Sequence, residues 1–184
     1  MELGLWILVG VLVLLLAWGI WTFNRLVALR TRVDNGWSQI DVQLRRRYDL
    51  IPNLVETVKG YATHEREVFE RVTVARAQAI GATGVPDQAA AENAISGGLR
   101  QLLAVAEAYP DLKANQNFLA LQEELSATEG KVAYARQFYN DSVLEYNNQL
   151  QQFPTMYFAR MLKFERREYF EADEAARSVP TVEF

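Results

Sequence analysis

RLVALRTRVDNGWSQIDVQLRRRYDLIPNLVETVKGYATHEREVFERVTVARAQAI, residues 25–80, is the stretch that decides the fold. Mostly apolar residues recur in it in alternating steps of four and three, which places them on one stripe of a helix that other helices must cover. The stripe consists of Val33, Trp37, Ile40, Leu44, Arg47, Ile51, Leu54, Val58, Tyr61, Glu65, Val68, Val72, Ala75 and Ala79. An unbroken helix of this length would reach roughly 80 Å. The chain is therefore predicted to be all-α.

Pro52 is the most serious interruption of this helix, because proline lacks the backbone N–H and crowds the residue four positions earlier. Two architectures stay open. In one, the helix kinks at Pro52 and continues, as the uninterrupted stripe favours, which gives a bundle of three long helices. In the other, the chain reverses near Asp49, which would cap a new helix, and the bundle has four helices. Gly36 and Gly60 weaken the helix by about 1 kcal/mol each relative to alanine.

The remainder of the chain divides into two further helical patterns. A Gly- and Pro-containing loop, residues 81–86, precedes a helix that Asp87 can cap, and the turn Tyr109-Pro110-Asp111 precedes a last long helix. Gly97 and Gly98 lie within the first of these, either as a weak point or as a place for close helix approach. Because the turns are short, sequence neighbours should be antiparallel, and an up-and-down bundle is expected.

An uncharged segment of 21 residues, Leu3 to Phe23, precedes the helical stretch of residues 25–80, which we expect to project from a bilayer as a stalk. Its length matches what a helix needs to cross about 30 Å of hydrocarbon. The alternative is a cleaved signal peptide, but a basic n-region and small residues before a cleavage site are both missing. We therefore predict a single-pass transmembrane anchor at residues 1–23, a helical bundle at residues 24–153, and an amphipathic turn with a polar tail at residues 154–184.

The residues flanking this segment predict its membrane contacts and its orientation. Tryptophan favours the headgroup boundary, and arginine near a span favours the cytoplasmic side. The predicted interface residues are Trp6, Trp18, Trp21, Arg25, Arg30 and Arg32. Since all these arginines follow the span, we expect the N-terminus outside and the bundle in the cytoplasm.

Charge is distributed unevenly along the chain. Residues 24–76 carry ten Lys/Arg against seven Asp/Glu, whereas residues 77–153 carry four against nine. The triplet Arg45-Arg46-Arg47 is therefore expected to pair with the acidic second half of the chain or with a neighbouring protomer. Neither a strong basic field nor a recognisable nucleic-acid-binding module is present, so no nucleic acid partner is expected.

The sequence offers little chemistry. Cysteine is absent and His64 is the one histidine. His64-Glu65 begins like a zinc-protease motif, but Val68 stands where the second histidine is required. The phosphate-binding and nucleophile motifs GxxxxGK[ST], GxGxxG and GxSxG are not found. We therefore expect no catalytic residue, no metal site, no cofactor and no enzymatic activity.

Three blocks resemble the LemA family of bacterial membrane proteins. Residues 26–79 resemble the family's first signature, above all at Val33-Asp34-Asn35, Trp37, Asp41, residues 46–55 and Gly60-Tyr61. Residues 112–147, LKANQNFLALQEELSATEGKVAYARQFYNDSVLEYN, are similar to the second signature, and EYFEA (168–172) and VEF (182–184) resemble the tail. Residues 156–163 depart from the family pattern, where a more apolar turn containing glycine is expected.

The resemblance implies a single N-terminal span, a short outside terminus and a helical bundle at the bacterial inner membrane. It implies no established activity, and one branch of the family is associated with magnetosome membrane formation. Together with the stalk, this predicts a scaffold that organises itself, as a homo-oligomer, or other proteins at the bilayer. The alternative is a membrane-tethered sensor or adaptor that binds a small ligand or peptide between helices. An aromatic run can line such a groove, although core packing is the expected use of these side chains. The run consists of Tyr134, Phe138, Tyr139, Tyr146, Phe153, Tyr157 and Phe158.

Overall fold

The computed structural model describes residues 2–62 and 64–170, and within these residues the secondary structure is α-helical. Within the described residues six helices follow one another: α1 (Glu2–Lys59), α2 (Arg66–Gly81), α3 (Val85–Glu107), α4 (Pro110–Lys113), α5 (Gln116–Gln151) and α6 (Thr155–Met161). The fold is all-α, with one long apolar N-terminal helix followed by a helical bundle, as predicted. The polar tail and the closing VEF lie outside the described residues.

Helix α1 joins the apolar segment to the bundle without a break. It has 58 residues, which corresponds to a length of about 87 Å. Most side chains up to Trp21 are exposed, and Thr22 is the first buried residue. From Val33 onward the buried positions include those of the stripe predicted from the sequence, among them Val33, Ile40 and Leu54.

Helix α1 also continues through Pro52, and the chain reverses eight residues later instead. The prediction of one helix from Arg25 to Ile80 is wrong, because α1 ends at Lys59 and α2 begins at Arg66. The alternative reversal near Asp49 is wrong as well, because Asp49 lies within α1. The last turn of α1 is closed by hydrogen bonds from the amides of Tyr61 and Ala62 to the carbonyl of Val58, at 3.0 and 2.9 Å. Reversal at Gly60 lets α2 bury four residues of its stripe, Phe69, Val72, Ala75 and Ala79, which an extended helix would expose.

The tolerance of Pro52 has a direct cause in α2. A proline at position 52 cannot donate to the carbonyl of residue 48, which therefore loses its helical partner. The Nε atom of Arg76 donates to this Tyr48 carbonyl oxygen at 2.7 Å. A side chain from the neighbouring helix thus satisfies the acceptor that proline leaves open, and α1 continues.

The distal half of α1 forms an up-down-up-down bundle with α2, α3 and α5. Lys59 lies near Phe69 and Tyr48 near Arg76, so α1 and α2 are antiparallel. Gly98 of α3 lies so close to α2 that a Cβ atom there would be 3.1 Å from Cγ2 of Val72, whereas Gly97 faces open space. Of the two alternatives predicted for the glycine pair, the structure therefore shows a close helix approach, and it does so at Gly98. Bundle and stalk share one continuous hydrophobic core.

Below the bundle, the stalk consists of α1, α5 and a returning C-terminal segment. Asn115 caps α5, its Oδ1 accepting from the amide of Phe118 at 3.1 Å. After α6 the chain runs back as an extended segment, residues 164–170, which we call the strap. Asn147 clamps the backbone of Arg167, donating to its oxygen at 2.9 Å and accepting from its nitrogen at 3.0 Å. Asn140 does the same at Phe170, at 3.0 and 2.8 Å.

Candidate functional site

The residues predicted to meet the membrane lie along the apolar segment and at its junction with the stalk. Trp6 and Trp21 are 71% and 62% exposed, and Trp18 is half-buried because the ring of Phe158 packs edge-on against it at 4.9 Å. Arg25 and Arg32 share Glu145 of α5, with N–O distances of 2.8 and 2.9 Å, and both remain about half exposed. Arg30 is exposed. The indoles therefore lie along the apolar segment and the arginines where it joins the stalk.

A cluster of ionised and polar side chains lies buried where α1, α3 and α5 meet. Its centre is Arg47, whose Nη1 atom is 2.8 Å from Oε2 of Glu92 and whose Nη2 atom is 2.9 Å from Oε1 of Glu129. The Arg47 side chain is 3% exposed and that of Glu92 is fully buried. We call this group, completed by Tyr48, Gln88, Ser96 and Arg136, the buried cluster.

The carboxylate of Glu92 accepts hydrogen bonds from its neighbours within the buried cluster. The hydroxyl of Tyr48 donates to Oε1 of Glu92, and Gln88 donates to the Tyr48 oxygen at 2.7 Å. Desolvation and the neighbouring Glu92 carboxylate raise the pKa of Tyr48 far above its usual value, so this hydroxyl stays protonated. Tyr48 therefore serves as a hydrogen-bond donor that stabilises a buried carboxylate.

Two positive and two negative groups balance within the buried cluster. Arg136 of α5 lies with Nη2 3.9 Å from Oε2 of Glu92, while its guanidinium stacks on Phe170 of the strap, 4.5 Å from the ring centroid. Burial lowers the pKa of Arg136, and the Glu92 carboxylate opposes this shift. Since the ion pairs join α1, α3 and α5, the cluster fixes the register of the three helices.

The position of Arg47 confirms one expectation for the arginine triplet. Arg46 and Arg47 both pair with the acidic second half of the chain, Arg46 through Glu124 at 2.7 Å. Arg45 instead pairs within α1, with Asp41 at 3.0 Å. The basic and acidic halves of the sequence are therefore matched within one chain.

Glu92 and Arg136 were not recognised as candidates from the sequence. For Glu92 a signal existed, because Glu92, Ile95, Leu99, Leu102 and Ala106 follow one another in steps of three and four and lie on one buried stripe of α3. A carboxylate on such a stripe needs a buried cation, and Arg47 on the α1 stripe is that cation. For Arg136 the sequence offers no comparable sign.

Two open depressions adjoin these elements. A cavity of about 380 Å³ lies beside the buried cluster and is lined by Arg47, Arg100, Arg136, Ser96 and Glu129 among others. A shallower groove of about 560 Å³ runs between α1 and α5. Val42 and Tyr134 line this groove and are 61% and 71% exposed. The small residues Ala127 and Gly130 line it as well. We call it the stalk groove.

The aromatic run identified in the sequence divides between core and surface. Tyr139 and Tyr146 are buried, and burial raises the pKa of both hydroxyls. Tyr139 donates to the carbonyl of Glu168 in the strap at 2.8 Å. Tyr134 is exposed in the stalk groove, whereas Phe153 and Tyr157 are exposed together elsewhere, so the run does not line one groove.

The histidine lies apart from all these features. His64 is exposed in the turn between α1 and α2. Over residues 2–62 and 64–170 there is no group of three or more His, Cys, Asp or Glu side chains placed to hold a metal ion. The features described above can anchor the protein, brace its helices against one another and present surfaces for contact.

Comparison with known proteins adds the family. The LemA family model matches residues 36–184. The magnetosome protein MamQ 2 of Paramagnetospirillum magneticum is 26% identical over 179 residues, an alignment that covers 83% of this chain and 66% of that protein. MamQ of Magnetospirillum gryphiswaldense is 24% identical and the alignment covers 80% and 64% of the two chains. The chain thus spans slightly less than two thirds of the length of these relatives.

A further relative is called simply protein LemA. This protein of Metamycoplasma hominis is 25% identical over 158 residues, covering 84% of this chain and 71% of its own length. Three of the signature residues quoted from the sequence make long-range contacts: Trp37 meets Phe170, Arg47 meets Glu92, and Asp34 meets Arg167 at 2.7 Å. The long apolar N-terminal helix, the bundle and the family model agree, and this membrane-associated helical protein belongs to the LemA family.

Proposed function

We propose that this protein is a non-enzymatic scaffold that organises copies of itself, or other proteins, at the bacterial inner membrane. The observation that carries the proposal is the continuity of α1 from Glu2 to Lys59. A single helix that is both anchor and bundle element holds the bundle at a fixed height above the bilayer. Such a geometry suits a protein that acts through what it contacts.

The orientation proposed here places the N-terminus outside and the bundle in the cytoplasm. Arg25, Arg30 and Arg32 follow the apolar segment closely. Positively charged flanks are retained on the cytoplasmic side. The similarity to the magnetosome proteins supports a membrane location.

The stalk groove is the surface that we assign to self-association. It exposes Val42 and Tyr134 beside small residues, so that a partner helix can approach α1 and α5 closely. Charged side chains are few along its floor, where Lys131 is the exception. This surface belongs to the stalk, so association through it would place two copies side by side on one membrane.

Photo-crosslinking in native membranes tests the scaffold role. A photoreactive amino acid is introduced at Val42 or Tyr134 of the full-length protein, and at Val74 of α2, which is 54% exposed but lies outside the stalk groove. We expect dimeric or larger adducts from positions 42 and 134 and markedly fewer from position 74. Monomer alone at all three positions, under conditions that trap a known membrane complex, would overturn the proposal.

The cavity beside the buried cluster favours a second candidate, a membrane-tethered sensor. Its lining combines Arg47, Arg100 and Arg136 with one carboxylate, Glu129. The Nε atoms of Arg47 and Arg136 are buried and have no hydrogen-bond partner among the described residues. A small anion, such as a phosphate or dicarboxylate, fits this chemistry.

Thermal unfolding of the full-length protein in detergent tests the sensor. Inorganic phosphate should raise the melting temperature more than chloride does at equal ionic strength, since binding to the folded state stabilises it. Arg100→Gln should abolish the difference, whereas Arg71→Gln, outside the cavity, should keep it. Equal effects of phosphate and chloride on the unmodified protein would rule phosphate out as the ligand.

A further inference from the structure

Helix α6 exposes an apolar surface beside the span. Thr155 and Ala159 are buried against the stalk, whereas Tyr157 and Met161 are 60% and 69% exposed. Phe153, immediately before α6, is 78% exposed and packs edge-on against Tyr157 at 6.2 Å. Large apolar side chains grouped in this way on a protein surface mark a contact site.

Three contacts fix the height of α6 along α1. The Phe158 ring packs against Trp18 at 4.9 Å. A Cβ atom at Gly19 would be 3.3 Å from the same ring, so the ring lies directly on the helix backbone. One turn further along, Phe164 meets Phe23 at 6.0 Å. Helix α6 is therefore level with residues 18 and 19.

That height lies inside the apolar segment. From Leu3 to Phe23 the segment has 21 residues, or about 31 Å, which is the thickness of the hydrocarbon region. Gly19 lies four residues before Phe23, roughly 6 Å towards the bilayer centre. If the segment fills the hydrocarbon region, α6 cannot remain in water, because the two are packed together at the same depth.

We propose that α6, with Phe153, is a second membrane contact that inserts into the interfacial layer of the bilayer that α1 spans. Interfacial helices bury their apolar faces by about 5–10 Å, which includes the depth found here. Arg160, Lys163 and Arg166 are exposed around the apolar surface, where they can meet lipid phosphates. Aromatic side chains such as Phe153 and Tyr157 suit this layer.

The contact would fix the tilt and rotation of the stalk relative to the membrane. A lone span can tilt and rotate, but a span braced by α6 at one side cannot rotate without lifting Tyr157 and Met161 out of the interface. This inference concerns only the membrane and does not depend on the scaffold role. The competing occupant of the same surface is protein, either a second copy or another part of the chain.

Site-directed spin labelling tests the contact directly, because the chain contains no cysteine of its own. Full-length Tyr157→Cys and Met161→Cys are labelled and reconstituted in vesicles of phosphatidylethanolamine and phosphatidylglycerol. Accessibility to oxygen, which concentrates in lipid, is compared with accessibility to a water-soluble nickel complex. Leu12→Cys, 52% exposed in the middle of the apolar segment, is the lipid control, and Val74→Cys is the water control. Thermal unfolding of each labelled protein verifies the fold.

Both α6 labels should be more accessible to oxygen than to the nickel complex, the reverse of the accessibility ratio expected at Val74→Cys. They should also lie at a shallower depth in the bilayer than the label at Leu12→Cys. Accessibility to nickel as high as at Val74→Cys would overturn the proposal, because α6 would then lie in water. Low accessibility to both reagents would overturn it as well, because protein would then cover the surface.

Discussion

At the scale of single residues, the decisive interaction is the burial of Arg47 among two carboxylates. Taking an arginine and a glutamate out of water costs several kcal/mol each, and the pair repays this only when both partners are present and hydrogen-bonded. Arg47 contacts Glu92, Ser96 and Glu129, and Glu92 also accepts from Tyr48. The buried cluster therefore tolerates the loss of one member poorly.

The neighbouring arginines provide a matched test of this view. Arg47→Leu leaves Glu92 buried without its cation and should lower the free energy of unfolding by about 3–5 kcal/mol. Arg46→Leu removes an ion pair of similar length to Glu124, but both side chains are about half exposed, and the loss should stay below about 1 kcal/mol. Chemical denaturation of both variants measures the difference. Equal losses would show that burial does not set the energy of the cluster.

Tyr48 should make stability fall at high pH. Its pKa is raised in the folded state, whereas an unfolded tyrosine ionises near pH 10. The resulting stabilisation is complete below pH 10 and is lost as the pH rises above it, since the unfolded chain alone then releases the proton. Melting temperatures measured between pH 8 and 11 should therefore decline above pH 10.

Two tyrosine-to-phenylalanine variants test whether Tyr48 causes this decline in the melting temperature. Tyr48→Phe should lower the melting temperature at pH 8, because Glu92 loses a donor, and should flatten the alkaline decline. Tyr134→Phe, at a side chain that is 71% exposed, should change neither. A decline of unchanged slope in Tyr48→Phe would mean that Tyr139 and Tyr146, whose pKa values are also raised, dominate.

At the scale of helices, Arg76 should be coupled to Pro52. Arg76→Leu leaves the Tyr48 carbonyl without a partner and should cost about 1–3 kcal/mol. In a Pro52→Ala background the alanine N–H can bond that carbonyl, so the same Arg76→Leu change should cost much less. A double-mutant cycle measured by denaturation gives the coupling energy. Additive losses would contradict the assigned role of Arg76.

The strap should depend on the two asparagines of α5 that clamp it. Asn147→Ala and Asn140→Ala each remove both hydrogen bonds to one strap residue, and about 1–3 kcal/mol of local stability should be lost. Hydrogen exchange at the amides of Arg167 and Phe170 should accelerate accordingly. Asn148→Ala, at an exposed neighbour, should leave both rates unchanged. Unaltered exchange in all three variants would show that other contacts hold the strap.

At the scale of the molecule, the sequence is sufficient for the architecture and for part of the site. The heptad stripe predicts α1 correctly through Pro52, because Arg76 repairs the backbone there. It fails at Gly60, since Tyr61 and Glu65 fit the stripe by spacing although they lie in the turn. Spacing reports which residues can share a face, but it does not report where a chain gains more by folding back.

Other features were not predictable because their partners are distant and aperiodic. The strap has no helical or strand period, and its attachment depends on backbone groups that meet Asn140 and Asn147. The height of α6 follows from the length of α5 relative to α1. Residues 156–163, which depart from the family pattern, form most of α6 and the turn after it, where Lys163 adopts φ 54°, a conformation that favours glycine.

The proposed scaffold role depends on a bundle that is held rigidly by the apolar N-terminal part of α1. Spin labels at Ile20→Cys and Glu56→Cys, both exposed, bracket the membrane junction, Gly36 and Pro52 along α1. Double electron–electron resonance on full-length protein in lipid nanodiscs, diluted with unlabelled protein, measures their separation. A continuous α1 gives one narrow distribution near about 54 Å. A broad distribution, or a much shorter distance, would reveal a hinge or a reversal and would contradict the account.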